Sequence, residues 1–308
     1  MTAAFARRSP AAVAVALATV YLVWGSTYLA IRVTDRTMPP LLMSSVRFLV
    51  AGAALYAFAI RGRARPTWRE WRAAAIVGAA LLLVGNGGVA WAETRLDSGL
   101  AALIVAIIPL WVAVLDRFVF GRRLAPAAFM GLVVGFGGVA LLVRPGGGVD
   151  VVAALTLVGT TGAWAAGSLY ARGAPLPKSP LLSASMQMLA ASAFLGIAGL
   201  VFGEAGQVHR DTFAAKPVAA WLYLVLVGSL VAFSSYAWLL KNVRISVVAT
   251  YAFVNPVVAV ALGAAFLGEA ITPTTLVAGA SIVLAVVLTV TGRERAPRVV
   301  PRPARASA

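Results

Sequence analysis

The chain has 308 residues, 61% of them hydrophobic and only 12% charged, with a mean hydropathy of +0.91; soluble domains carry about 25% charged residues, so this composition belongs in a bilayer. A formal charge of +16 would point to nucleic acid in a soluble domain, but the basic residues here fall in loops flanking apolar runs, and no nucleic-acid partner is expected. Cysteine is absent and the single histidine, His209, lies in a loop, which excludes disulfides, thiolate metal sites and Cys-His catalysis; no cofactor, no metal and no enzymatic activity is expected.

A span needs about 20 mostly apolar residues to cross a core near 30 Å, and ten stretches qualify. The first, 11 to 31, follows Arg7 and Arg8 and mimics a secretory leader, yet it runs on through Trp24 to Ile31 and reads as a retained first helix. Trp24 sits roughly 13 residues along it, too deep for the interfacial belt where Trp gathers, and Tyr28 follows one turn later. The second, 41 to 60, holds Arg47, the one formal charge deep in a span, roughly 9 Å from its boundary by the helical rise. At a helix centre Arg costs about 2.5 to 3.5 kcal/mol unless it snorkels, so it either serves a cavity or reaches to the interface.

In the third stretch, 73 to 92, Asn86 sits among Gly85, Gly87 and Gly88, which permit close approach or local unwinding, while Trp91 near the end reads as a belt anchor. The fourth, 98 to 115, carries Pro109 near its middle, where it removes a backbone hydrogen bond and tends to kink the helix. The fifth, 125 to 143, presents Gly131-x-x-x-Gly135 with Gly137 and Gly138, a small-residue face for helix packing or, as the alternative, a homodimer. The sixth, 151 to 171, carries Trp164 and the seventh, 181 to 202, carries Gln187. The eighth, 218 to 240, holds Ser235 and a second expected anchor, Trp238; the ninth, 246 to 267, holds Tyr251, Asn255 and Pro256; the tenth runs from 273 to 291. Glu269 falls between the last two and is expected to cap or brace that turn.

The chain also matches itself. A shift of 140 pairs Trp24 with Trp164, Arg32 with Arg172 and Arg47 with Gln187; a shift of 147 pairs Trp91 with Trp238, Pro109 with Pro256 and Gly121 with Gly268. Five spans per copy is an odd number, so the second copy enters the membrane upside down. The expected fold is therefore an all-α polytopic membrane protein of ten transmembrane helices in two inverted five-helix repeats. With the N-terminus inside, nineteen of the 26 lysines and arginines face the cytoplasm, six face the other side and Arg47 remains in a span, as the positive-inside rule requires. Both termini are then cytoplasmic. The expected divisions are an N-terminal segment 1–10, a first repeat 11–143, a linker 144–150, a second repeat 151–291 and a disordered basic tail 292–308.

Trp24-Gly25-Ser26, Arg47-Phe48, the Pro-centred fourth and ninth spans, and Asn255-Pro256 followed by Gly268-Glu269 and Pro273 resemble the EamA repeats of the drug/metabolite transporter superfamily. The resemblance covers about residues 11 to 291. It implies a ten-helix secondary transporter of the bacterial cytoplasmic (inner) membrane, many of whose relatives export amino acids, metabolites or toxic compounds. It further implies a central cavity among helices 1 to 4 and 6 to 9, with helices 5 and 10 at the periphery. One departure is that the first copy reads Gly121-Arg122 where the second reads Gly268-Glu269.

Paired breaks at Pro109 and Pro256 mark the region where a transport site is sought in duplicated transporters. Trp24, Tyr28, Arg47, Asn86, Trp164, Gln187, Ser235, Tyr251 and Asn255 are the candidate residues around it, an amphipathic, aromatic lining suited to a small organic substrate. Helix packing alone would use many of the same residues. The expected function is export of such a substrate by alternating access. A non-transporting receptor or scaffold, or an importer, is the alternative. The lipid bilayer and the small-molecule substrate are the expected partners. No nucleotide-binding loop of the Gly-x-x-x-x-Gly-Lys-Ser/Thr kind occurs.

Overall fold

The computed structural model describes residues 9–119, 121, 125–143 and 148–292, all of them helix or connecting loop, with no strand among them. Arg7, Arg8, Arg122, most of the expected linker and the basic tail beyond Gly292 lie outside the described residues. Ten principal helices follow in chain order: α1 Pro10–Thr34, α2 Pro40–Ala59, α3 Trp68–Glu93, α4 Ser98–Phe118, α5 Pro126–Leu142, α6 Val151–Gly173, α7 Pro180–Val201, α8 Ala215–Asn242, α9 Tyr251–Leu267 and α10 Pro273–Gly292. Seven are long and apolar enough to cross a membrane; α5, α9 and the described length of α10 are apolar but shorter. The reason for α9 is local: Ala249 and Thr250 form a turn that splits the one-turn helix Ile245–Val248 from it.

Helix starts follow from residue chemistry. Proline opens α1, α2, α5, α7 and α10, where its missing N–H costs nothing and its fixed φ suits the first turn. Thr67 and Glu70 form a capping box on α3, and Asp150 accepts from the Ala153 N–H at 2.9 Å at the start of α6. Gly268 ends α9 at φ +69°, a conformation that glycine adopts without strain.

Two helices are not regular. Ala79–Asn86 within α3 and Leu224–Phe233 within α8 are wound as π-helix, the wide turn that recurs at functional sites. The shift of 147 carries one segment onto the other to within two residues. Moreover, α4 is broken at Ala106–Ile107, and its second half begins at Ile108. Pro109 thus sits in the first turn after the break, where proline is accommodated, rather than kinking a continuous helix as expected.

The helices pack as a bundle in which α2 lies against α7, α5 against α10 and α4 against α9. Further contacts join α1 to α9 and α8, α6 to α4 and α3, and α3 to α7 and α2, with α8 against α2 and α7. The glycine face of α5 is consumed in its contact with α10. A Cβ on Gly131 would lie 2.4 Å from Thr289 Oγ1, and one on Gly138 would lie 3.0 Å from Ile282. Packing within the chain uses that face.

Candidate functional site

Four aromatic rings from four helices meet inside the bundle. Trp24 of α1 stands edge-on to Trp164 of α6 at 5.5 Å and to Tyr251 of α9 at 5.4 Å, and lies 4.8 Å from Tyr236 of α8. Such pairs contribute about 0.5–1.5 kcal/mol each beyond area burial. The Trp164 indole N–H donates to the Tyr236 hydroxyl at 3.1 Å, and Ser168 Oγ lies 2.8 Å from the same oxygen. A deep indole N–H needs an acceptor, and here Tyr236 supplies it.

Beside this cluster lies a cavity of about 70 Å³ lined by Trp24, Tyr28, Arg47, Asn86, Trp164, Tyr251 and Asn255. Both π-helical segments reach it, through Leu82, Gly85 and Asn86 on one side and Gly228 and Phe233 on the other. Two glycines make the approach possible. A Cβ on Gly85 would stand 2.6 Å from Trp164 Cε3, and one on Gly228 would stand 3.2 Å from Arg47 Nη2. The expectation of close approach around Asn86 is thus met by a π-turn.

Arg47 does not snorkel. It is 3% exposed, its Nε donates to Ser229 Oγ at 2.8 Å, and its guanidinium carbon lies 4.9 Å from the Phe48 ring centroid. Nη1 is buried without a hydrogen-bond partner, as is Asn86 Oδ1. Buried polar atoms are nearly always paired, so these two orphans, with the unpartnered Tyr251 hydroxyl of the same lining, call for a ligand or water. With its amide oriented to give the better hydrogen bonds, Asn255 donates to the Tyr21 carbonyl at 2.9 Å and the Tyr251 carbonyl at 3.2 Å, tying α9 to α1. The volume holds about two waters and is far below the roughly 300–1,000 Å³ of ligand pockets, so this conformation is closed around the centre.

Four candidate residues lie elsewhere. Pro109 and Pro256 are buried in their helices and do not line the cavity. Gln187 donates to Ser183 Oγ at 3.0 Å and lines a separate cavity of about 210 Å³ with Tyr236 and Lys241. Phe233 borders both cavities and forms the partition between them. Ser235 bonds back to the Val231 carbonyl at 2.9 Å, one turn away, and faces away from the cavity. The lining also includes Phe48, Ile108, Gly228 and Phe233, whose types do not distinguish them from core residues in sequence.

One end of the bundle gathers the turns after α1, α3 and α7. There Glu269 differs from expectation: its carboxylate accepts from Ser98 N–H at 2.9 Å, Ser98 Oγ at 2.8 Å and Gly99 N–H at 3.0 Å. It caps α4, not the turn that contains it, because the first N–H groups of a buried helix have no partner of their own. Glu204 does the same for α2, accepting from Leu41 and Leu42 at 3.0 and 2.8 Å. A groove of about 1050 Å³ opens at this end, lined by Asp35, Trp91 and Arg95 among others. Trp91, expected as a belt anchor, faces this groove with the Arg95 guanidinium 4.1 Å above its ring.

The EamA-like transporter family matches residues 11–144 and again 151–291. YedA, an inner membrane transporter of Escherichia coli strain K12, is 38% identical over 285 residues, covering 90% of this chain and 90% of its own. A protein of Streptantibioticus cattleyicolor named a probable terminal-alkyne amino-acid exporter is 27% identical over 281 residues, covering 89% of this chain and 91% of its own. One solved crystal structure shares the fold, with a TM-score of 0.67 and 22% identity, covering 93% of this chain and 99% of that one.

Proposed function

This chain belongs to the EamA-like transporter family, and on that premise we propose that it exports small zwitterionic or aromatic metabolites, amino acids among them, by alternating access. It is a multi-pass transporter of the bacterial inner membrane. The observation that carries the substrate class is the Arg47 Nη1 left without a partner on a cavity walled by Trp24, Trp164 and Tyr251. A carboxylate satisfies the guanidinium through a charge-assisted bond, and aromatic faces accept an ammonium or an apolar side chain. The relative named an amino-acid exporter favours the same class.

We read the chain as two inverted five-helix repeats, 11–143 and 151–291, with both termini cytoplasmic and no catalytic role. Support comes from the packing: each contact described above has its mate when the halves are exchanged, α1 with α9 answering α6 with α4, and α3 with α7 answering α8 with α2. Further support comes from the paired π-segments, one per half. The break at Ala106–Ile107 in α4 and that at Ala249–Thr250 before α9 are offset by one helical turn from each other's equivalent place. Inverted halves caught in different local shapes are what alternating access requires.

Arg47→Gln in reconstituted, correctly folded protein tests the reading. Efflux of labelled amino acids from proteoliposomes is expected to fall at least tenfold, about 1.4 kcal/mol or more. Unchanged rate and apparent affinity would remove Arg47 from the site.

A further inference from the structure

The bundle end that carries the groove holds two carboxyl groups that the transport cavity does not use. Glu93, the last residue of α3, is 0% exposed, and neither of its side-chain oxygens has a hydrogen-bond partner. Asp35, just past α1, has both oxygens buried and equally unpartnered. Every other buried carboxylate described at this end is satisfied, Glu204 and Glu269 by backbone N–H groups.

The charges facing Glu93 do not pair with it. Arg32 of α1 donates to the Glu93 backbone carbonyl, not to its carboxylate. Its second arm points to Asp97, with Nη2 3.9 Å from Oδ1. Asp35 and Glu269 add negative charge, and the Tyr28 hydroxyl lies within electrostatic reach. Around Asp35, burial holds the carboxyl well above the usual carboxylate range; Arg32 opposes this, Glu204 adds to it and Arg47 opposes it. A buried carboxylate with no hydrogen-bond partner is strongly disfavoured in its ionised form, and each of these two groups is relieved by taking up a proton.

We propose that Glu93 and Asp35 form a proton-binding site that couples transport to the proton gradient. The reaction is the addition of one proton to the carboxylate pair and its later release. The site has two neighbours: Asp35 lines the groove open to solvent, while Glu93 acts electrostatically on Tyr28, which lines the central cavity. The site has no mate in the other half, because the residues at the equivalent positions are Leu240 and Pro175. The direction of the cycle is then set by the proton gradient. This inference rests on the transport reading and on the orientation proposed above, in which the groove faces outward and the proton enters from outside as substrate leaves.

The test has two arms. The first is infrared spectroscopy of the full-length protein, which reads the carbonyl stretch of a protonated carboxylic acid and needs no substrate. The wild type is expected to show that band at neutral pH and lose it on alkalinisation. Glu93→Gln or Asp35→Asn is expected to abolish it, while Glu70→Gln in the α3 capping box at the opposite end keeps it. If the wild type lacks the band, or if both substitutions leave it intact, the proton site is wrong. This holds even if one variant fails to fold, because the wild-type spectrum and the other variant decide.

The second arm is efflux of a labelled amino-acid mixture from proteoliposomes. External acidification is expected to accelerate wild-type efflux severalfold, and Glu93→Gln efflux is expected to be the same with and without the gradient. Efflux that ignores the gradient in the wild type overturns the coupling. Absence of any efflux overturns the transport reading instead, leaving the infrared result to judge the site.

Discussion

At the scale of single residues, the polar atoms inside the bundle divide by whether the chain satisfies them. Glu204 and Glu269 accept three hydrogen bonds or more from helix starts and hold the fold. Arg47 Nη1, Asn86 Oδ1 and the Glu93 and Asp35 oxygens are among those left over. The first group is structural, and Glu269→Ala is expected to cost about 0.5–2 kcal/mol, as loss of a helix cap does. Thermal unfolding in detergent reads this, with the apparent affinity for substrate unchanged. A shift in affinity without loss of stability would move Glu269 into the site. In sequence, Glu269 was recognisable as a capping group, but its target was not: Ser98 lies 171 positions away, and only tertiary packing brings α4 to it.

At the scale of helices, glycines decide which faces approach. A Cβ on Gly131 would stand 2.6 Å from the Ala285 carbonyl oxygen of α10, whereas one on Gly137 would meet nothing within 4 Å. Gly131→Ala is therefore expected to destabilise by about 1–3 kcal/mol through overpacking. Gly137→Ala, on the open side of the same helix, is expected to be neutral or stabilising by up to about 1 kcal/mol. Unfolding of the two variants side by side checks the direction, and equal effects would contradict the assignment of the α5 face. The small-residue pattern was legible because Gly131, Gly135 and Gly138 recur on one face. Its partner was not, since nothing in α5 distinguishes α10 from a second copy of the chain. The π-turns were hidden for a different reason: Gly85, Gly87 and Gly88 announce close approach but carry no signature of the winding that achieves it.

At the scale of the whole molecule, duplication and apolar periodicity made the helical bundle and its repeat pattern readable. The deep tryptophans, Arg47 and the Asn255-Pro256 pair pointed to the region where the cavity lies. Gln187 did not join Arg47, although the shift of 140 pairs them, because repeat symmetry is broken in this closed conformation. Each residue then faces its own cavity, with Phe233 between. The same asymmetry separates the break in α4 from the one before α9. A site closed at about 70 Å³ has to open to release a substrate, and in the proposed reading two inverted halves open it by exchanging shapes. Because the chain contains no cysteine, Asn86→Cys places a single thiol in the cavity without background. Labelling that thiol in oriented membrane vesicles with a small impermeant reagent, applied to one face at a time, tests alternating access most directly. The account predicts modification from both faces, slowed by transported amino acid; a thiol that reacts from one face alone, or from neither, would contradict it.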